Sequence, residues 1–265
     1  MNPKNTRFYS KIKTPSYIYY EKNLEKNIKL FQKFSKNRIK IFYAIKSNNF
    51  PSLIKKIKKA GFGFDVATKE EIEFLLREEI DPKKITFSAP SKKIEDIKFA
   101  GKIGVQYFAF DSYFEAKKII ENVKNPILFA RIENSNNDAI FDLSSKFGMN
   151  NKYFNYILKK AKREKLPIKG LTFHVGSQNS SILSWKKAFK NMELLIKNSK
   201  KQSIEILYLN IGGGIPAQYT NKIPSLQKFL IEIAKLCVKF QKKYPNIQIF
   251  AEPGRAMCAN TMALI

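Results

Sequence analysis

An α/β protein with a parallel sheet is the architecture that these 265 residues predict, and three observations carry the prediction. Short apolar runs alternate with longer amphipathic stretches along nearly the whole chain. The amphipathic stretches repeat their apolar residues at steps of three and four, which gives each one a single face to bury. Polar and glycine-rich residues then gather just after the apolar runs, where parallel α/β folds hold their sites.

The elements follow in order. A helix beginning near Glu21 would bury Leu24, Ile28 and Phe31. The candidate strands are Ile39–Tyr43, Phe62–Val66, Ile85–Ser88, Val105–Phe110, Ile127–Ile132, Ile168–Phe173, Ile206–Ile211 and Ile247–Ala251. Ile182, Trp185, Phe189, Met192 and Ile196 mark one amphipathic helix, and Leu226, Phe229, Ile233, Leu236 and Phe240 another. Strand–helix alternation argues for parallel strands with helical crossovers. Eight units in about 225 residues fit a (β/α)8 barrel better than an open doubly wound sheet. The two ends fit less well. Ser16–Tyr20 is an extra strand-like run, and the few residues after Ala251 leave little room for an eighth helix.

Composition narrows the class. Hydrophobic residues make up 44% of the chain, enough for a real core. No apolar run reaches the ~20 residues of a membrane-spanning helix. Met1–Lys13 is polar and basic, unlike a signal peptide. Two cysteines (Cys237, Cys258) and one histidine (His174) fit neither a disulfide framework nor a zinc site, so a cytoplasmic location is expected. The net charge of +27 raises the question of nucleic acid. Its lysines, such as Lys55, Lys56, Lys58 and Lys59, are spread over the polar faces of expected helices, and no nucleic-acid motif accompanies them. A solvated basic surface is the plainer reading, and it would favour anionic ligands.

The chemistry-bearing residues follow the strands. Lys46 comes directly after the first, where desolvation would favour a nucleophilic amine; elsewhere a lysine is usually a solvated charge. Asp65 ends the second strand and Arg131 the fifth. The sixth runs into His174-Val175-Gly176-Ser177-Gln178; a lone histidine is often a core residue, and Ser177 lacks the surroundings of a hydrolase nucleophile. Gly212-Gly213-Gly214 after the seventh would let backbone N–H groups approach a phosphate, or simply make a tight turn. Glu252-Pro253-Gly254-Arg255 follows the eighth. Arg255 could grip a phosphate, and Glu252 could face a pyridine nitrogen or merely pair with Arg255.

Several motifs in this order resemble the ornithine/lysine/diaminopimelate decarboxylase family, which uses pyridoxal 5′-phosphate (PLP). They are Phe42-Tyr43-Ala44-Ile45-Lys46-Ser47-Asn48, Phe64-Asp65-Val66-Ala67-Thr68, Ser88-Ala89-Pro90-Ser91-Lys92 and Ser145-Lys146-Phe147-Gly148, followed by the His174, Gly212 and Glu252 runs quoted above. The likeness extends from about Pro15 to the end of the chain. It implies a PLP-binding TIM barrel of the alanine racemase-like type, with Lys46 forming the aldimine and His174 stacking on the ring. Glu252 would pair with the ring nitrogen. Ser177, Gly212, Gly213, Gly214, Gly254 and Arg255 would hold the phosphate, with Asp65 and Arg131 lining the pocket. The activity implied is decarboxylation of a basic amino acid, first of all L-ornithine to putrescine in polyamine biosynthesis, by a homodimer. Lysine and diaminopimelate are the alternative substrates.

The family continues into a β-domain, so the expected division is a strand-bearing segment at 1–20, a barrel at 21–255 and the start of an absent domain at 256–265. On this expectation the chain is a truncation lacking its last barrel helix, and alone it would bind PLP weakly and turn over poorly. Alanine racemases share the barrel and the lysine but not the His-Val-Gly-Ser-Gln or Glu-Pro-Gly-Arg runs. A non-catalytic PLP-homeostasis protein or a regulatory decarboxylase homologue is the alternative of another class.

Overall fold

The computed structural model describes residues 12–36, 38–134, 146–219 and 223–265. Eight strands close into a parallel barrel: β2 (Ile39–Ala44), β3 (Gly63–Val66), β4 (Ile85–Phe87), β5 (Tyr107–Phe110), β6 (Ile127–Ile132), β7 (Ile168–Phe173), β8 (Tyr208–Asn210) and β9 (Gln248–Ala251). Each pairs with its neighbours in sequence, and β9 returns to β2 with Ile39 opposite Ile249. Parallel neighbours need crossovers, and seven helices supply them among the described residues: α2 (Pro51–Lys59), α3 (Lys69–Arg77), α4 (Ile94–Ile103), α5 (Tyr113–Asn122), α6 (Asn151–Glu164), α7 (Ile182–Lys201) and α8 (Leu226–Lys243). Side-chain caps start several of them. Thr68, Ser112, Asn150 and Ser225 each accept a backbone N–H from the first turn of α3, α5, α6 and α8.

The eighth helical position corrects one expectation. The barrel does not lack a helix, because α1 (Glu21–Ser35), from the amino-terminal side, packs against β2, α2 and α8. It buries Leu24, Ile28, Phe31 and Phe34. Asn27 Nδ2 donates to the Met257 carbonyl at 2.9 Å, tying α1 to the short helix α9 (Arg255–Cys258). The same Nδ2 donates to Asn260 Oδ1 at 2.8 Å, and together these acceptors offset the cost of burying the amide. The apolar surface expected to lie bare after the last strand is therefore covered. Outside the barrel, β1 (Tyr17–Tyr19) pairs antiparallel with β10 (Met262–Leu264), which joins the two ends of the described chain.

Strand alternation divides the core into two. On β2, Ile39, Ile41 and Tyr43 join the large cluster between sheet and helices, whereas Phe42 joins a separate cluster with Ala109, Phe129 and Phe250 inside the barrel. Tyr107 and Tyr208 pack against that inner cluster, and the Phe42 and Phe250 rings lie 4.7 Å apart. Two glycines make room for it. A Cβ on Gly63 would come 2.5 Å from the Phe42 ring, and one on Gly170 would come 2.4 Å from the Phe129 ring. Among the described residues no helix is long and apolar enough to cross a membrane.

Candidate active site

On four strands the inward side ends on a hydrogen-bonding or charged residue, which on three of them follows an aromatic two residues earlier. Phe129 is followed on that side by Arg131, Thr172 by His174, Tyr208 by Asn210, and Phe250 by Glu252. Arg131, His174 and Glu252 line a cleft of about 310 Å³ at the carboxyl ends of the strands, and Asn210 reaches it through its hydrogen bond to Glu252. Its lining includes Lys46, Asp65, Arg131, His174 and Glu252, together with Ser88, Thr172 and Phe147. Five sequence-predicted residues thus meet in one place.

Glu252 is buried, with 9% of its surface exposed, and its charge is answered by hydrogen bonds. Ser88 Oγ and Asn210 Nδ2 both donate to Oε1, each at 2.5 Å. Asn210 also accepts the Gly212 N–H through Oδ1 at 2.9 Å, so one amide side chain joins the glycine run to the carboxylate. Asp65 is buried beside it. Burial and the neighbouring Glu252 charge push its carboxyl well above the usual range, against the pull of Lys46 and a Ser88 hydrogen bond. Asp65 therefore keeps its proton to higher pH than an ordinary aspartate.

His174 accepts the Gly176 N–H at Nδ1, at 3.0 Å, which leaves Nε2 as the protonated nitrogen of a neutral ring. Burial, then the Arg131 and Lys46 charges, hold the imidazole down at about 3. The Nε2 edge faces Gly213, where a Cβ would approach to 3.3 Å. The Arg131 guanidinium lies 5.0 Å from the centre of the Phe147 ring, a cation–π contact at the cleft wall.

Lys46 sits in a single 3-10 turn, Ile45–Ser47, directly after β2. That turn is fixed by Tyr43, whose hydroxyl donates to the Asn48 carbonyl at 3.0 Å and accepts from Ser47 Oγ at 2.9 Å. The side chain is exposed. What the fold gives Lys46 is a fixed place in the cleft.

The expected phosphate-binding residues stand apart from the cleft lining. Gly212 and Gly214 have φ of +64° and +90°, and a Cβ on either would lie 2.3 Å from a backbone carbonyl oxygen, so glycine is required at both. The Gly212 N–H is already taken by Asn210. Gly254 packs on Ser47 and Ala44, beside the Lys46 turn. Ser177 is half-buried and near the cleft floor in sequence only; it does not line the cavity. Arg255 is exposed, and its Nη1 donates to the Tyr219 hydroxyl at 3.0 Å rather than pairing with Glu252. Of the motifs, Ser145 lies outside the described residues, whereas Asn210 is a site residue in none of them and Ser88 is one that its motif left without a role. Their parity with Glu252 was the available signal: each lies on an inward-facing strand position.

Three comparisons bear on this cleft. Residues 21–259 match the family described as pyridoxal-dependent decarboxylase, pyridoxal binding domain. Antizyme inhibitor 2 of Xenopus laevis is 31% identical over 86% of this chain and 50% of its own length. The lysine/ornithine decarboxylase of Selenomonas ruminantium is 29% identical over 96% of this chain and 64% of its own. A solved structure of an SrLDC mutant in complex with PLP superposes with a TM-score of 0.90 at 27% identity, covering 100% of this chain and 68% of that one. The chain spans about half to two thirds of the curated relatives it matches.

Proposed function

This chain belongs to the pyridoxal-dependent decarboxylases through their pyridoxal-binding domain, and from that premise we propose that its cleft binds PLP and serves decarboxylation of a basic amino acid, ornithine before lysine or diaminopimelate. The convergence of the Lys46 amine, the Glu252 carboxylate and the His174 imidazole on one cleft carries the reading.

The residues suit the cofactor at three of its four edges. An amine suits the aldehyde, a buried carboxylate suits the ring nitrogen, and a neutral flat imidazole suits the ring face. At the phosphate edge Gly213, Gly214 and Gly254 offer close backbone, and Arg255 donates to Tyr219 through Nη1 with further N–H groups left for a phosphate. PLP, when bound, supplies a sink for the electron pair left behind as a substrate carboxylate departs as CO2. Glu252, anchored through Oε1 by Ser88 and Asn210, would hold a proton at the ring nitrogen. His174, neutral across the physiological range, covers the ring without adding charge. Arg131 and Phe147 form a wall that limits water. Ornithine is preferred on the Gly-Gly-Gly-Ile-Pro and Ala-Pro-Ser-Lys runs.

The test is an absorbance titration of the purified chain with PLP, followed by borohydride. A band fixed by reduction is expected, and it should vanish in Lys46→Ala. No fixation by folded wild-type protein would overturn the cofactor reading. Of ornithine, lysine and diaminopimelate, ornithine should then give the highest kcat/KM. The likeness to antizyme inhibitor 2 favours a second reading, a regulatory decarboxylase homologue; a folded chain that fixes no PLP would select it.

A further inference from the structure

Lys92 is the one lysine buried among the described residues, and no motif role has used its side chain. Its ammonium group is 0% exposed. Nζ donates to the Ala89 carbonyl at 2.8 Å and to the Ala109 carbonyl at 2.6 Å, and lies 3.0 Å from Glu115 Oε1. Glu115 is itself buried and meets Lys118 through Oε2 at 2.6 Å. Lys118 in turn donates to the Lys92 carbonyl. Three pieces of the barrel rim are thereby joined: the loop after β4, the end of β5 and the first turn of α5.

Burying an ammonium is unfavourable, and here burial holds Lys92 down at about 8 despite the Glu115 charge. An apolar side chain would fill the space at less expense, so the charge marks a geometric demand. That demand is visible one residue away. Ala89 adjoins Ser88, whose hydroxyl donates to Glu252, and Ser88–Ser91 line the cleft. The Ser88 N–H still donates to the Val66 carbonyl on β3 at 3.2 Å; beyond Ser88 the loop to α4 has no strand pairing, and carbonyl capture by Nζ takes that place.

We propose that Lys92 is a positioning residue for the cofactor site: by clamping the Ala89 carbonyl to β5 and α5 it holds the Ser88 hydroxyl on Glu252. The proposal rests on the reading of the cleft as a PLP site.

The experiment measures PLP dissociation constants for folded Lys92→Met, Ser88→Ala and their double variant, beside Ile157→Ala. Ile157 is fully buried in α6, so its truncation lowers Tm without touching the clamp. Lys92→Met and Ser88→Ala should each weaken PLP binding about tenfold, the scale on which supporting groups act on other bound centres. The double variant should be no worse than either single, because both break one chain of contacts. Ile157→Ala should lose Tm and keep wild-type affinity. Because Lys92→Met leaves Glu115 buried with one partner fewer, the pair Lys92→Met/Glu115→Met is made alongside; replacing both charges commonly preserves folding. It should show the same weakened binding. Wild-type affinity in that folded pair, or additive losses in the Lys92/Ser88 double variant, would overturn the clamp. Amide hydrogen exchange across residues 88–91, without PLP, gives a readout independent of the cofactor. It should speed up in both clamp variants and not in Ile157→Ala. If wild type fails to fix PLP the cofactor reading falls, and unchanged exchange would then sink the clamp on its own account.

Discussion

The two ends of the barrel interior are built from the same strands and do opposite work. At the amino end, Phe42, Phe129 and Phe250 fill the space, with Tyr107 and Tyr208 against them and the Tyr107 and Phe250 centroids 5.4 Å apart. At the carboxyl end, Asp65, Arg131, His174, Asn210 and Glu252 occupy the corresponding inward side. The distance between these regimes is one repeat of the strand pleat, two residues. Dispersion and water exclusion hold the aromatic end. Hydrogen bonds to groups that cannot otherwise be buried hold the polar end. Asp65 and Glu252 stay buried at one mouth because the aromatic cluster closes the barrel below them.

Two substitutions on β9 and the residue after it should separate these roles most sharply. Phe250→Ala removes a fully buried ring from the plug and should lower stability by about 3–5 kcal/mol in urea unfolding. Glu252→Gln keeps shape and hydrogen-bonding capacity, and should change stability by less than about 1 kcal/mol. Its effect should fall on chemistry, with turnover reduced about a hundredfold or more, the scale for losing a preorganised charge. If Glu252→Gln unfolds the chain as readily as Phe250→Ala, the two ends are not functionally divided.

A smaller effect is expected from Gly170→Ala. The new methyl would lie 2.4 Å from the Phe129 ring, so the ring or β7 must shift. Overpacking of this kind costs about 1–3 kcal/mol. PLP affinity measured in the folded protein should stay at the wild-type value, since the strain lies at the plug. A parallel loss of affinity would mean that the plug and the site are mechanically coupled.

All eight barrel strands were legible in the periodicity, because buried parallel strands leave continuous apolar runs that few other structures produce. The large site residues were legible because they sit just past those runs and match motifs. What escaped notice is instructive. Asn210 stands in no motif and Ser88 stands in one without a role; inward parity is what marks both as partners of Glu252. The covering role of α1 escaped as well. Its amphipathic face was readable, but sequence order puts a crossover helix after the strand it follows, and only barrel closure shows that the position beside β9 is filled from before β2. Lys46 was legible as a motif lysine just past a buried strand, whereas the 3-10 turn that fixes its place in the cleft was not.

The subtlest difference between the ends is in their response to acid. An unfolded histidine takes up its proton near 6.5, whereas folded His174 does so only near 3. Between those values the unfolded chain binds more protons, so stability contributed by neutral His174 is whole above pH 6.5 and is lost as pH falls toward 3. Asp65 has the reverse sign. Its folded carboxyl holds a proton well above the usual aspartate range, so its contribution is whole below the unfolded value and declines as pH rises through the folded one. His174→Gln should therefore flatten the stability profile between pH 6.5 and 3, while Asp65→Asn should recover stability at neutral pH. The loss from Phe250→Ala should be nearly the same at pH 4 and pH 7, because no titrating group is removed. Urea unfolding of the three variants across that range checks all three slopes, and a Phe250→Ala penalty that varied with pH as steeply as the His174 contribution would show that the aromatic end also governs how far the charged end is shielded from water.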